Sequence, residues 1–127
     1  MDARELILQA SREALLQGGP RECETVRDAG AIDWAADGID SALAARNSIE
    51  EIAGVAFHRI VTGHPFVDCN HRTGSALALS LLAAEGFAPK VADKEIAEFA
   101  KSIDREGLGV GDVVAWITRS FQFKQGA

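Results

Sequence analysis

Apolar stripes at helical spacing alternate with glycine-rich breaks along this chain, and the alternation predicts its elements. Leu6, Ile7, Ala10, Ala14 and Leu15 recur with the period of a helix face, with Arg4, Glu5, Arg12 and Glu13 elsewhere, so a first helix is expected over about residues 2–17. Gly18-Gly19-Pro20 ends it, since glycine allows a left-handed turn and proline cannot continue the ladder. Residues 21–31 show no clear period and read as a loop, with a short extended piece around Glu24-Thr25-Val26. Residues 32–46 predict one or two short helices, broken near Gly38. Ser48-Ile49-Glu50-Glu51 has the form of a capping box. Behind it, Ile49, Ile52, Ala53, Ala56, Phe57 and Ile60 mark one buried helix face that Gly63 closes.

The most apolar run is Ala76 to Ala84, inside a helix expected over about residues 70–85. A helix apolar nearly all round is buried on most sides, which places this one at the centre. Glu85-Gly86 and Pro89 stop it. Asp93 is expected to cap a helix carrying Ile96, Ala97, Phe99, Ala100 and Ile103. A glycine-rich turn, Gly107 to Gly111, leads to a last helix with Val113, Val114, Trp116, Ile117 and Phe121, and the tail from Lys124 should fray. No repeat and no strand pair stands out. The expected fold is an all-α, single-domain bundle spanning 1–127, with about six helices around a central, buried helix.

Composition narrows the function classes. The 127 residues are 47% hydrophobic and 25% charged, ordinary globular material. Aromatics make up only 6%, so the core must rest on Ala, Leu, Ile and Val. A formal charge of −6 argues against a nonspecific nucleic-acid or membrane surface, which wants clustered Lys and Arg. No apolar run approaches the ~20 residues of a membrane span. The charged start, Met1-Asp2-Ala3-Arg4-Glu5, is unlike a signal peptide, so a cytoplasmic location is expected. Cys23 and Cys69 are too few and too far apart to suggest a disulfide framework.

The chemistry concentrates in Gly63-His64-Pro65-Phe66-Val67-Asp68-Cys69-Asn70-His71-Arg72-Thr73, which should be a loop leading into the N-terminus of the apolar helix. Such a terminus presents unpaired N–H groups and partial positive charge, a ready site for phosphates. Imidazole titrates near neutral pH, so His64 suits the work of taking a proton from an attacking hydroxyl. Asp68 offers a hard oxygen to Mg²⁺, which commonly bridges one or two carboxylates to substrate phosphates. Asn70 and the amides about it, through Thr73, can cradle phosphate oxygens. Arg72 can neutralise charge that builds in a phosphoryl-transfer transition state. Pro65 restrains the loop and Phe66 reads as a core anchor, while His58 reads as a packing or surface histidine. His64, Asp68, Cys69 and His71 include zinc-ligand types, but their spacing matches no closed four-ligand site.

His64-Pro65-Phe66-Val67-Asp68-Cys69-Asn70-His71-Arg72 resembles the active-site signature of the Fic/Doc family. Thr73-Gly74-Ser75-Ala76-Leu77-Ala78 and the short chain make it most similar to the Doc branch, and Gly18-Gly19 and Ser41-Ala42-Leu43 look like the family pattern too. The resemblance implies His64 and Arg72 as catalytic residues. It implies Asn70, His71, Arg72, Cys69 and Thr73 as nucleotide- and phosphate-binding, and Asp68 as the metal ligand. It also implies ATP or another nucleotide with Mg²⁺, a protein substrate (a translation factor in the Doc branch) and an antitoxin partner, with no nucleic acid and no membrane. The family's target-aligning flap would fall in residues 21–31, which a plain connector would satisfy equally.

Two positions depart from the pattern. Cys69 stands where Gly or Ala is usual, and reads as a small residue, with redox sensitivity as the lesser alternative. His71 stands where Doc-type members carry Lys and nucleotidyl-transferring members carry Gly. A small residue there leaves room for the α-phosphate at the attack point and AMP transfer. A bulky, cationic one accompanies the inverted nucleotide and phosphotransfer. His71 is bulky, and Ser75 stands where AMP-transferring members have a second arginine, so phosphotransfer is favoured over AMP transfer; the intact His64, Asp68, Asn70 and Arg72 argue against a non-catalytic binding module. Ser102-Ile103-Asp104-Arg105-Glu106-Gly107 is similar to the family's Ser-x-x-x-Glu-Gly inhibitory motif, though a helix ending in Glu-Gly is an ordinary C-terminus.

Overall fold

The computed structural model describes residues 2–124. Six α-helices account for most of them: α1 (Ala3–Leu16), α2 (Ala29–Ala44), α3 (Ile49–Gly63), α4 (Asn70–Ala84), α5 (Asp93–Arg105) and α6 (Val110–Ser120). The fold is therefore all-α, as the apolar periods imply. One 3₁₀ turn, Arg21–Glu24, and two short strands, β1 (Phe87–Pro89) and β2 (Phe121–Phe123), complete the element order. No helix among the described residues is long and apolar enough to cross a membrane.

Local signals start and stop the helices. The Asp2 carboxylate accepts from the amides of Arg4 and Glu5. Ser48 Oγ accepts from Glu51 N at 3.2 Å and donates to Glu51 Oε1 at 3.1 Å, so the box closes on the hydroxyl. α5 departs from expectation: Ala92 is its cap residue, without a side-chain bond, and Asp93 is already helical. α2 begins at Ala29, earlier than expected, because Asp28 Oδ1 accepts from Ala31 N at 3.2 Å. It also runs through Gly38 unbroken. Gly38 is there for space: a Cβ would stand 2.7 Å from Arg59 Nε. Arg59 crosses that gap to donate to the Trp34 carbonyl at 2.6 Å and lies 4.5 Å over the Trp34 ring. The glycine that looked like a break is a passage for an arginine from another helix.

α3 and α4 share the centre. α3 packs against α2, α4, α5 and α6, and α4 against α1, α3, α5 and β1. Ile52, Ala53, Ala56, Phe57, Ile60 and Val61 on α3 meet Leu77, Ala78, Leu81 and Leu82 on α4 in one buried cluster. The far side of α4 is wetter than its composition suggests, with Ser80, Ala83 and Ala84 exposed. Phe99 and Trp116 stack 4.1 Å apart and Phe57 meets both edge-on, which pins α5 and α6 to α3.

The strands correct the expectation of no strand pair. Phe87, Ala88 and Pro89 pair antiparallel with Phe123, Gln122 and Phe121. Three-residue strands are too short to show alternation, and proline is tolerated at such an edge. Lys124 N donates to the Gly86 carbonyl at 2.7 Å, so the tail is held that far; the expected fraying of residues 125–127 falls outside the described residues.

Candidate functional site

The motif loop hangs between two left-handed residues. His64 ends α3 with φ 48° and Cys69 precedes α4 with φ 64°, conformations that side chains seldom adopt. Several partners hold the loop in that shape. Phe66 is wholly buried, as its anchor role requires. The Asn70 amide grips Phe66 at both ends: Oδ1 accepts from Phe66 N at 3.1 Å and Nδ2 donates to Phe66 O at 2.9 Å. Asn70 thus shapes the loop before it can act as a phosphate hand.

The segment between α1 and α2 supplies the other clamps. Val67 N donates to Thr25 O at 2.9 Å, and Arg27 N to Pro65 O at 2.8 Å, so Val26 bridges Phe66 antiparallel. Those bonds flank the pair, which turns the main-chain N–H and C=O of Val26 away from the loop. Among the described residues neither group has a partner. Arg27 Nε donates to His64 O at 2.9 Å and Nη2 to Gly63 O at 3.3 Å, placing a cation on the carbonyl end of α3. Sequence reasoning missed Arg27: an arginine in an aperiodic stretch carries no local signal.

Cys23, buried on the 3₁₀ turn, and Cys69 form a disulfide with Cα atoms 5.0 Å apart. This corrects the reading of Cys69 as merely a small residue. The separation along the chain hid a pair that the turn after α1 brings together. Gly19 makes the bridge fit, since a Cβ there would stand 2.5 Å from Cys23 Sγ and 3.0 Å from Cys69 Sγ.

Above the loop lies a cleft of about 960 Å³. His64, Asp68, Cys69, Asn70, His71 and Arg72 line its motif side, and Leu79, Ile96, Ala97 and Ala100 give α4 and α5 an apolar wall. α4 has no side-chain cap and its first amide bond runs from Thr73 N to Cys69 O at 2.8 Å. Its leading N–H groups are therefore left for a ligand. Asp68 is exposed; its Oδ1 accepts from Cys69 N at 2.6 Å, leaving Oδ2 for a cation. No group of three or more metal-ligand side chains occurs among the described residues. Arg72 is exposed and pairs with no carboxylate among the described residues.

Thr73 departs from its expected place. Its side chain is fully buried and does not line the cleft, because one step along the helix from Arg72 turns it into the core. Its Oγ1 has no hydrogen-bond partner among the described residues. Glu106, the glutamate of the inhibitory-motif resemblance, pairs with Arg105 at 3.2 Å rather than with Arg72. The acid that does reach the motif is Asp104, whose Oδ2 lies 2.7 Å from His71 Nε2 and Oδ1 3.5 Å from His64 Nε2.

A family model described as Fic/DOC matches residues 5–82, from α1 through the whole motif into α4. No curated protein matches the chain. The family match takes in more than half of the chain and all of the loop just described, and the chain belongs to the Fic/Doc family.

Proposed function

We propose that the cleft binds ATP with Mg²⁺ and that this chain, acting as one domain, moves the γ-phosphoryl group to a hydroxyl side chain of a protein, as the Doc branch does. Family members are typically transferases, and the choice here is which part of the nucleotide moves. The observation that carries the choice is His71: its ring lines the cleft at the second residue of α4, tied to Asp104 at 2.7 Å. By the family pattern, a bulky side chain at this position disfavours an α-phosphate at the attack point. Ser75 supports the same reading. It stands in the second arginine's place, and its hydroxyl donates to the Arg72 carbonyl at 3.0 Å.

The residues then divide the work. His64 takes the proton from the target hydroxyl as that oxygen attacks the γ-phosphorus. The bond from the γ-phosphorus to the bridging oxygen breaks, and its electron pair leaves with ADP. Arg72 and the leading amides of α4 hold the charge on the phosphate oxygens. Asp68 would hold Mg²⁺, which when bound neutralises phosphate charge. The free edge at Val26 offers an extended target segment one N–H and one C=O. A translation factor as target and an antitoxin as restraint follow from the branch resemblance.

The test uses ATP labelled at the γ- or the α-phosphate, with Mg²⁺ and purified translation factors. Label from the γ position alone is the expected outcome, lost in His64→Ala. Label from the α position would make the protein an AMP transferase, and label from neither would refute transfer to these acceptors.

A further inference from the structure

We propose that Asp104 is a positioning residue that sets the orientation and ring proton of both motif histidines; the inference rests on the assignment of His64 as the base. Asp104 sits in the last turn of α5, beyond the segment matched by the family model. Its two oxygens are divided between the rings, Oδ2 at 2.7 Å from His71 Nε2 and Oδ1 at 3.5 Å from His64 Nε2. A carboxylate only accepts, so the nitrogen 2.7 Å away must carry a proton. His64 Nε2, 3.5 Å from Oδ1 of the same carboxylate, faces it across an ion-pair distance rather than a hydrogen bond, and the negative charge there favours hydrogen on that nitrogen. Which nitrogen of a histidine is protonated is set by the bond the other one makes. With hydrogen on Nε2, Nδ1 of His64 is left to receive the proton of a target hydroxyl.

The burial of the surroundings supports a built arrangement. Ile103 and Ala100 are buried on the inner face of α5, and Phe99 stacks on Trp116, so the backbone that carries Asp104 is fixed by packing. A carboxylate beside a phosphate cleft would repel the nucleotide if it were free. Hydrogen-bonded to His71 and 3.5 Å from His64, it sets one base and one bulky ring in a single relation.

The test is long-range ¹⁵N–¹H correlation spectroscopy of the full chain with ¹⁵N-labelled histidine, in the native protein, Asp104→Ala and Asp104→Glu. The chain has three histidines. His58, whose Nε2 lies 3.1 Å from the Leu108 carbonyl and makes no ion pair with Asp104, is an internal control. The expected result is a proton on Nε2 of His64 and His71 in the native protein. In Asp104→Ala it redistributes between the ring nitrogens of those two, Asp104→Glu restores it in part, and His58 does not move. Unchanged His64 and His71 signals in a folded Asp104→Ala protein would overturn the proposal. In the labelled-phosphate assay, kcat should fall about tenfold or more in Asp104→Ala, as when a base loses the group that fixes its tautomer, with KM for ATP little changed. A rise in turnover with a fall in KM would overturn it, since Asp104 would then be an obstacle to nucleotide. The spectra decide the matter even if no phosphate is transferred, so failure of the proposed reaction and failure of the positioning role are separable.

Discussion

Reducing the Cys23–Cys69 bridge should cost this protein much of its stability. The bridge spans 46 residues. Closing a loop of that length removes about 4 kcal/mol of denatured-state freedom on the chain-entropy account. A small domain has only about 5–15 kcal/mol in total, so the loss is large. With a urea slope of about 1–3 kcal/mol per molar, the midpoint should fall by roughly 1.3–4 M. Paired urea titrations with and without a thiol reductant measure the shift, and a thiol count on the unreduced native protein checks the bond itself. Two free thiols in the native state, or coincident midpoints, would refute the reasoning. The native fold of the reduced chain should persist around α3 and α4, because the backbone bonds between Thr25, Arg27 and the motif loop do not depend on sulfur. A disulfide belongs to oxidising compartments. In a reducing one the segment between α1 and α2 would be held to the motif by those bonds alone.

His64 ends α3 in the left-handed conformation, which costs a side chain about 1–2 kcal/mol; His64→Gly should therefore be more stable than His64→Ala by about 1 kcal/mol, though both lack transfer activity, and equal urea midpoints would contradict this. The Thr73 hydroxyl is buried without a partner among the described residues, so Thr73→Val should raise stability by about 1 kcal/mol; a lowered thermal midpoint would show that the hydroxyl is bonded after all. Gly38→Ala should destabilise by about 1 kcal/mol despite the better helix propensity of alanine, because its Cβ displaces Arg59 from the Trp34 ring. In an Arg59→Ala background the sign should reverse, which a double-mutant cycle of unfolding free energies reads directly.

Helices whose apolar residues repeat over several turns were legible in the sequence. α1, α3 and α4 start and stop within about a residue of the limits expected from their apolar faces together with the capping and glycine signals that flank them. Features decided by a distant partner were not. Gly38 looks like a break until Arg59 is seen to need the space. Phe87 and Phe123 look like ordinary core aromatics until their strands pair. Cys23 and Cys69 look isolated until the chain turns after Gly19.

The same division runs through the site. The motif residues name the chemistry, and three of them also build the loop: Asn70 grips Phe66, Phe66 is buried in the core, and Asp68 accepts from Cys69 N. The rest of the geometry comes from outside the motif. Arg27 fixes the carbonyls of Gly63 and His64, Thr25 ties down Val67, and Cys23 anchors Cys69. These contacts carry no recognisable spacing. On the α5 side, Asp104 stands two residues before the glutamate that the inhibitory-motif resemblance singles out, and it is the acid that meets the histidines. α5 turns by about 100° per residue, so Asp104 and Glu106 point to faces roughly 200° apart. Only one of them can reach the cleft, and which one depends on how Phe99 and Ile103 seat the helix against α3. Reading function from this segment therefore needs the packing of α5 as well as its motif.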